Sequence, residues 1–184
     1  MYYFIRQDLN DVTNMVFLGH SKESGKHLWV NGARFSEPYP DHDIFYIEPC
    51  MGVGNGMPDF FDSAAPIMSD KLLGALKSLG VENYDSYPVI LEEKGTGKQW
   101  HNYFAVNVIG LVDALDTEKS DIEDEDIFHS TVIDENKTMG MPCFRLLNGP
   151  TVLMISESVA KPLIDMNLIG VLIINSEDFD EDDY

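Results

Sequence analysis

Asp113 and Asp116 sit close together near the end of an expected strand. Two carboxylates so placed can divide general acid and general base work, provided their surroundings push their proton affinities apart. They are the candidates for a small acidic hydrolase. Asp41-His42-Asp43 has metal-ligand residue types, but alternate residues diverge on a strand and no second His or Cys pair completes a site. It reads as a polar turn behind Pro38 and Pro40. His20, His27, His101 and His129 are isolated in the chain. Gly52-Val-Gly-Asn-Gly56 has the glycines of a phosphate loop without the helix that must follow them, so it reads as a turn. Neither Ser69 nor Ser156 stands in the Gly-x-Ser-x-Gly elbow that exposes a nucleophile. No metal or nucleotide cofactor is expected from these spacings.

The two serines belong to a repeated pattern. Pro66-Ile-Met-Ser-Asp-Lys-Leu72 is echoed by Leu153-Met-Ile-Ser-Glu-Ser-Val159, with Ser69 matching Ser156. Serine is a strong N-cap, and the following Asp70 and Glu157 suit the positive end of a helix dipole. Leu72, Leu76 and Leu79, and likewise Val159, Leu163 and Met166, recur at helical spacing, and of these Leu72, Leu76, Leu79, Leu163 and Met166 are expected to be buried. Gly80 and Asn167 stand where each helix should stop. Pro162 falls inside the second unit, which predicts a later start or a bend. Strands are expected at 2–5, 15–18, 27–30, 44–47, 87–91, 103–108, 128–133, 142–147, 152–155 and 171–174. On 103–108, Val106 and Val108 should share one face opposite Asn107. Strands outnumber helices and several have hairpin spacing. The fold class is therefore α+β, with antiparallel or mixed sheets carrying two similar Ser-capped helix units.

The chain has 184 residues, 44% of them hydrophobic, enough to build a core without disulfides or metals. Its two cysteines, Cys50 and Cys143, make no disulfide framework and point to a reducing compartment, the cytoplasm. The first residues lack a signal-peptide pattern and no run is long enough for a membrane helix. With 32 acidic against 12 basic residues the net charge is −20. Direct nucleic-acid binding is disfavoured, because phosphate contacts need Lys and Arg. A basic protein partner is favoured. The acids concentrate at 121–126 and at 177–184. The second concentration sets off a tail, 176–184, from a domain at 1–175, and the acidic run offers an alternative division into lobes 1–120 and 121–175. The tail has no apolar periodicity, so deleting 178–184 is expected to leave folding intact.

Several segments resemble the immunity protein 11 family of bacterial polymorphic toxin systems. They are Pro58-Asp59-Phe60, the Pro66 to Leu72 motif, and Tyr103-Phe-Ala-Val-Asn-Val-Ile-Gly-Leu-Val-Asp-Ala-Leu-Asp-Thr-Glu-Lys-Ser120. Phe144-Arg-Leu146 and Met154-Ile-Ser-Glu-Ser158 complete the likeness, which runs over residues 44–174. The resemblance implies a non-enzymatic cytoplasmic protein of an immunity-type domain. Its partner would be a cognate toxin, a basic nuclease-type one, whose active site it occludes in competition between bacteria. No family residue is carried over as a binding site. From charge alone, Asp121, Glu123, Asp124, Glu125 and Asp126 are the expected partner-facing residues, because an ordered strand follows them. A carboxylate hydrolase using Asp113 and Asp116, or a scaffold for a basic protein, are the alternatives.

Overall fold

The computed structural model describes residues 1–11, 14–49, 56–123 and 127–179. Its strands in chain order are β1 (Tyr2–Gln7), β2 (Val16–Leu18), β3 (Asp43–Pro49), β4 (Phe60–Phe61), β5 (Ile67–Ser69), β6 (Tyr84–Glu93), β7 (Gln99–Val108), β8 (Leu111–Val112), β9 (Asp121–Glu123), β10 (Ile127–Ser130), β11 (Cys143–Leu146), β12 (Gly149–Ser156) and β13 (Val171–Asn175). The helices are α1 (Asp70–Ser78), after β5, and α2 (Glu157–Ile164), after β12. The fold is mixed α+β. One sheet runs β13-β1-β12-β11-β8 and the other β2-β3-β6-β7-β5-β4, while β9 and β10 form a separate ribbon. Pairing is antiparallel except at β11/β8 and β3/β6, so both large sheets are mixed. None of the described helices is long and apolar enough to cross a membrane.

Strand alternation fixes where the cores lie. Ile5, Leu153 and Ile155 of the first sheet meet Val106 and Val108 of the second in one cluster, closed by Leu72 and Leu76 of α1 and Val159 and Leu163 of α2. Tyr2, Phe4, Phe144 and Met154, on the opposite face of the first sheet, pack around Phe179. The opposite face of the second sheet presents Phe45, Ile47, Val89, Leu91 and Tyr103 to Trp29 and Tyr39 of the long connection before β3. Val106 and Val108 do share a face, but Asn107 on the other side is also fully buried, its Nδ2 donating to the Ala33 carbonyl at 2.8 Å.

Several expectations are corrected. The strand at 27–30 is absent. A 3₁₀ turn (Ser24–Lys26) precedes it, and buried Trp29 donates Nε1–H to the Ser24 carbonyl at 2.9 Å, so its apolar residues seal a loop. Met166 is 36% exposed, because α2 ends at Ile164 and the helical period no longer applies. For the same reason Asn167 is not the stop residue, whereas Gly80 takes the left-handed conformation (φ 85°) after α1. Leu79 is only partly buried. Pro162 does not delay α2, which starts at Glu157 and ends two residues beyond the proline. Pro88 lies within β6, an interior strand. The His42 N–H bonds the Pro88 carbonyl at 2.9 Å, so that side of Pro88 faces the region just before β3, where a missing donor breaks no ladder. Phe179 is 2% exposed, with its ring 4.6 Å from that of Phe4 and Arg6 above it. A deletion from 178 would therefore remove a core side chain.

Candidate partner-binding surface

The carboxylates singled out for chemistry are part of a turn. Asp116 accepts from Lys119 Nζ at 2.6 Å and from the Glu118 N–H at 3.3 Å, and its carbonyl accepts from the Ser120 N–H at 2.9 Å. The Lys119 hydrogen bond holds its proton affinity below the usual carboxylate range, the opposite of what a general acid needs. Asp113 is exposed.

The polar residues within the resemblance motifs turn inward. Asp59 is 6% exposed and holds three segments together. Its Oδ1 accepts from Ser69 Oγ at 2.5 Å and its Oδ2 from the Ile169 N–H at 2.8 Å, while its own N–H donates to the Ile169 carbonyl at 2.7 Å. Ser69 caps α1, its Oγ accepting from the Leu72 N–H at 3.1 Å. Ser156 occupies the matching position without a side-chain cap bond, and its hydroxyl lies 3.0 Å from Ser158 Oγ. Arg145 is fully buried. Its Nη1 donates to the Pro150 carbonyl at 2.6 Å, while among the described residues Nε and Nη2 find no acceptor. Burial drags the Arg145 guanidinium down to about 10, leaving it charged at neutral pH. Asp62 is pushed up by burial, opposed by Arg6, which it pairs with, and by Arg145. These residues hold the interior together, so recognition falls to side chains that remain outside.

Two outer features suit a partner. The first is the acidic run. Asp121 is exposed and opens β9, which pairs with β10. Glu123 ends β9, and Asp124, Glu125 and Asp126 lie outside the described residues. The second feature was missed in the sequence. Phe45 and Ile47 of β3 point into the core, so Ile44, Tyr46 and Glu48 occupy its other face. Phe17 of β2 stands opposite Glu48, and Tyr46 opposite Glu92. Phe17 is 56% and Tyr46 43% exposed. The helices pack on β1, β5, β7 and β12 and leave this corner open. Glu48 is bonded by Lys94 at 2.5 Å and Glu92 by Gln99 at 2.6 Å, so the carboxylates are already oriented. Exposed aromatic rings rimmed by fixed acids match the anchor-and-rim anatomy of protein interfaces. The signal in the sequence was the position of Phe17 and Tyr46 on the solvent side of their strands' two-residue alternation.

A cleft of about 470 Å³ opens beside Lys26, His27, Arg34 and Phe35. Its cations are already engaged, Lys26 with Glu23 at 2.7 Å and Arg34 with Asp85. Among the described residues, no group of three His, Cys, Asp or Glu could hold a metal ion. A sequence model of the immunity protein family Imm11 matches residues 7–172. No curated protein matches the chain.

Proposed function

Because the chain belongs to the Imm11 immunity protein family, we propose that it binds and neutralises the toxin of its own polymorphic toxin system, acting in the cytoplasm as an inhibitor and not as an enzyme. The family match carries this reading. The toxin is a basic, nuclease-type effector, and the inhibitor blocks its active site. The net charge of −20 supports a basic partner, since complementary fields raise association rates. Asp121, Glu123, Asp124, Glu125 and Asp126 steer the encounter, and Phe17 and Tyr46 anchor the docked complex. Residues 1–175 act as one immunity-type unit, to which the following acidic segment 176–184 contributes the core side chain of Phe179. The Ser-started helices serve as scaffold.

The test is co-expression with the cognate toxin domain, sought among the genes beside this one. Cells carrying both genes should grow, and the two proteins should co-purify in equal amounts. Nuclease activity of the toxin should disappear on titration with this chain. Growth arrest despite full expression of the chain would overturn the proposal.

A further inference from the structure

We infer that the open edge of β13 receives an extended strand of the toxin, whose apolar residues fill the adjacent groove and whose basic residues flank it. This rests on the toxin-binding reading. β13 ends its sheet and pairs only with β1 among the described residues. The Asp8 N–H bonds the Gly170 carbonyl and the Ser176 N–H bonds the Tyr2 carbonyl. In an antiparallel pair, residues alternate between exchanging both bonds and exchanging none. With the observed register, Leu172 and Ile174 are therefore the residues of β13 bonded to β1, and the N–H and C=O groups of Val171 and Ile173 face outward. The Asp178 N–H takes the Asn175 carbonyl at 3.0 Å and closes the edge at its far end.

Exposed edges are normally guarded by charge, proline or a bulge, because they template pairing with other chains. The 32 acids of this chain include none on β13, which reads Val-Leu-Ile-Ile-Asn and is half-buried throughout. Beside the edge lies a groove of about 260 Å³, lined by Ile164, Met166 and Leu168 together with Leu172 and Ile173. Ile164 is 55% exposed. Exposed Asp165 stands in the chain between the lining residues Ile164 and Met166, and exposed Glu177 and Asp178 follow the far end of the strand. Strand addition draws affinity from backbone bonds and specificity from pockets for alternate side chains. The occupant that fits is an extended segment with apolar residues on one alternation and Lys or Arg near its ends. A second copy of this chain fits poorly, because it would bring another net charge of −20 against the same acids.

The experiment uses the cognate toxin domain identified by that co-expression, co-purified with the chain, and residue-resolved amide exchange in free and bound states. The Val171 and Ile173 amides should exchange roughly tenfold or more slowly in the complex, while the amides of Leu172 and Ile174, already bonded to β1, change less. Ile173→Pro removes an outward N–H without breaking a bond to β1, and also removes the Ile173 side chain from the groove, so it should weaken binding roughly tenfold or more. If that variant fails to fold, exchange in the wild-type complex decides. A stable complex with unprotected Val171 and Ile173, or a folded Ile173→Pro variant that binds unchanged, overturns the strand inference and leaves the toxin reading standing. A free chain that sediments as a dimer with both amides already protected assigns the edge to a second copy and also overturns it. Failure to form any complex removes the toxin reading and this inference together.

Discussion

At the scale of single residues, matched sequence positions have different energetic weight. Ser69 and Ser156 begin the same motif, yet Ser69 caps a helix and donates to buried Asp59, whereas Ser156 does neither. Ser69→Ala should cost about 2 kcal/mol, the sum of a lost cap and a buried carboxylate left short of a donor. Ser156→Ala should cost less than about 0.5 kcal/mol. Urea denaturation of both variants tests this, and equal costs would show that the Asp59 contact contributes little. The interior also sets an alkaline limit. Burial pushes the Cys143 thiol from 9.0 up to about 12, and burial likewise raises Tyr39 and Tyr103. A raised folded-state pKa gives stability that is complete below the unfolded value and lost as pH climbs through the folded one. The raised groups should therefore lower stability from pH 9 toward 12, by up to about 1.4 kcal/mol per pH unit each, offset above about pH 10 by Arg145, whose depressed value acts with the opposite sign. Comparing wild type with Cys143→Ala removes the thiol together with its electrostatic coupling to Arg145, while the tyrosines are common to both. Identical pH slopes would contradict the burial argument.

At the scale of elements, the α+β class, α1 and most strands were legible because periodicity and cap chemistry are local signals. Leu72 and Leu76 are buried where the helical spacing placed them. What was not legible depended on distant chain. The 27–30 segment has the apolar content of a strand, but Trp29 is sealed against Tyr39 and Tyr87 instead of pairing. Phe179 sits among acids and looks like tail, yet its ring fills the space between Phe4 and Arg6. Phe179→Ala should cost about 3–5 kcal/mol, and deletion of 178–184, which removes the same ring, should cost at least as much. Thermal melts of the two variants check it. A deletion variant as stable as wild type would show that Phe179 is dispensable. The candidate surface was legible in half. Charge clustering exposed the acidic run, whereas Phe17 and Tyr46 become a patch only once β2 and β3 pair in register.

At the scale of the whole molecule, the acids and the aromatic patch should separate in kinetics. Long-range attraction acts before contact, so a field from 32 acids against 12 bases raises the association rate and fades as salt shortens its reach to about 8 Å at physiological ionic strength. Aromatic anchors act after contact, by resisting departure. Neutralising Asp121, Glu123, Asp124, Glu125 and Asp126 together should slow association with the toxin and flatten its dependence on salt, with dissociation little changed. Phe17→Ala and Tyr46→Ala should do the reverse, speeding dissociation roughly tenfold or more each while leaving the salt slope intact. Stopped-flow binding across salt concentrations measures both. An unaltered salt slope in the neutralised variant would reduce the acidic run to solvated surface and leave steering to the rest of the charge. Unchanged dissociation in both aromatic variants would move the anchor away from the β2–β3 face. The two outcomes are independent, because one tests a field and the other a contact.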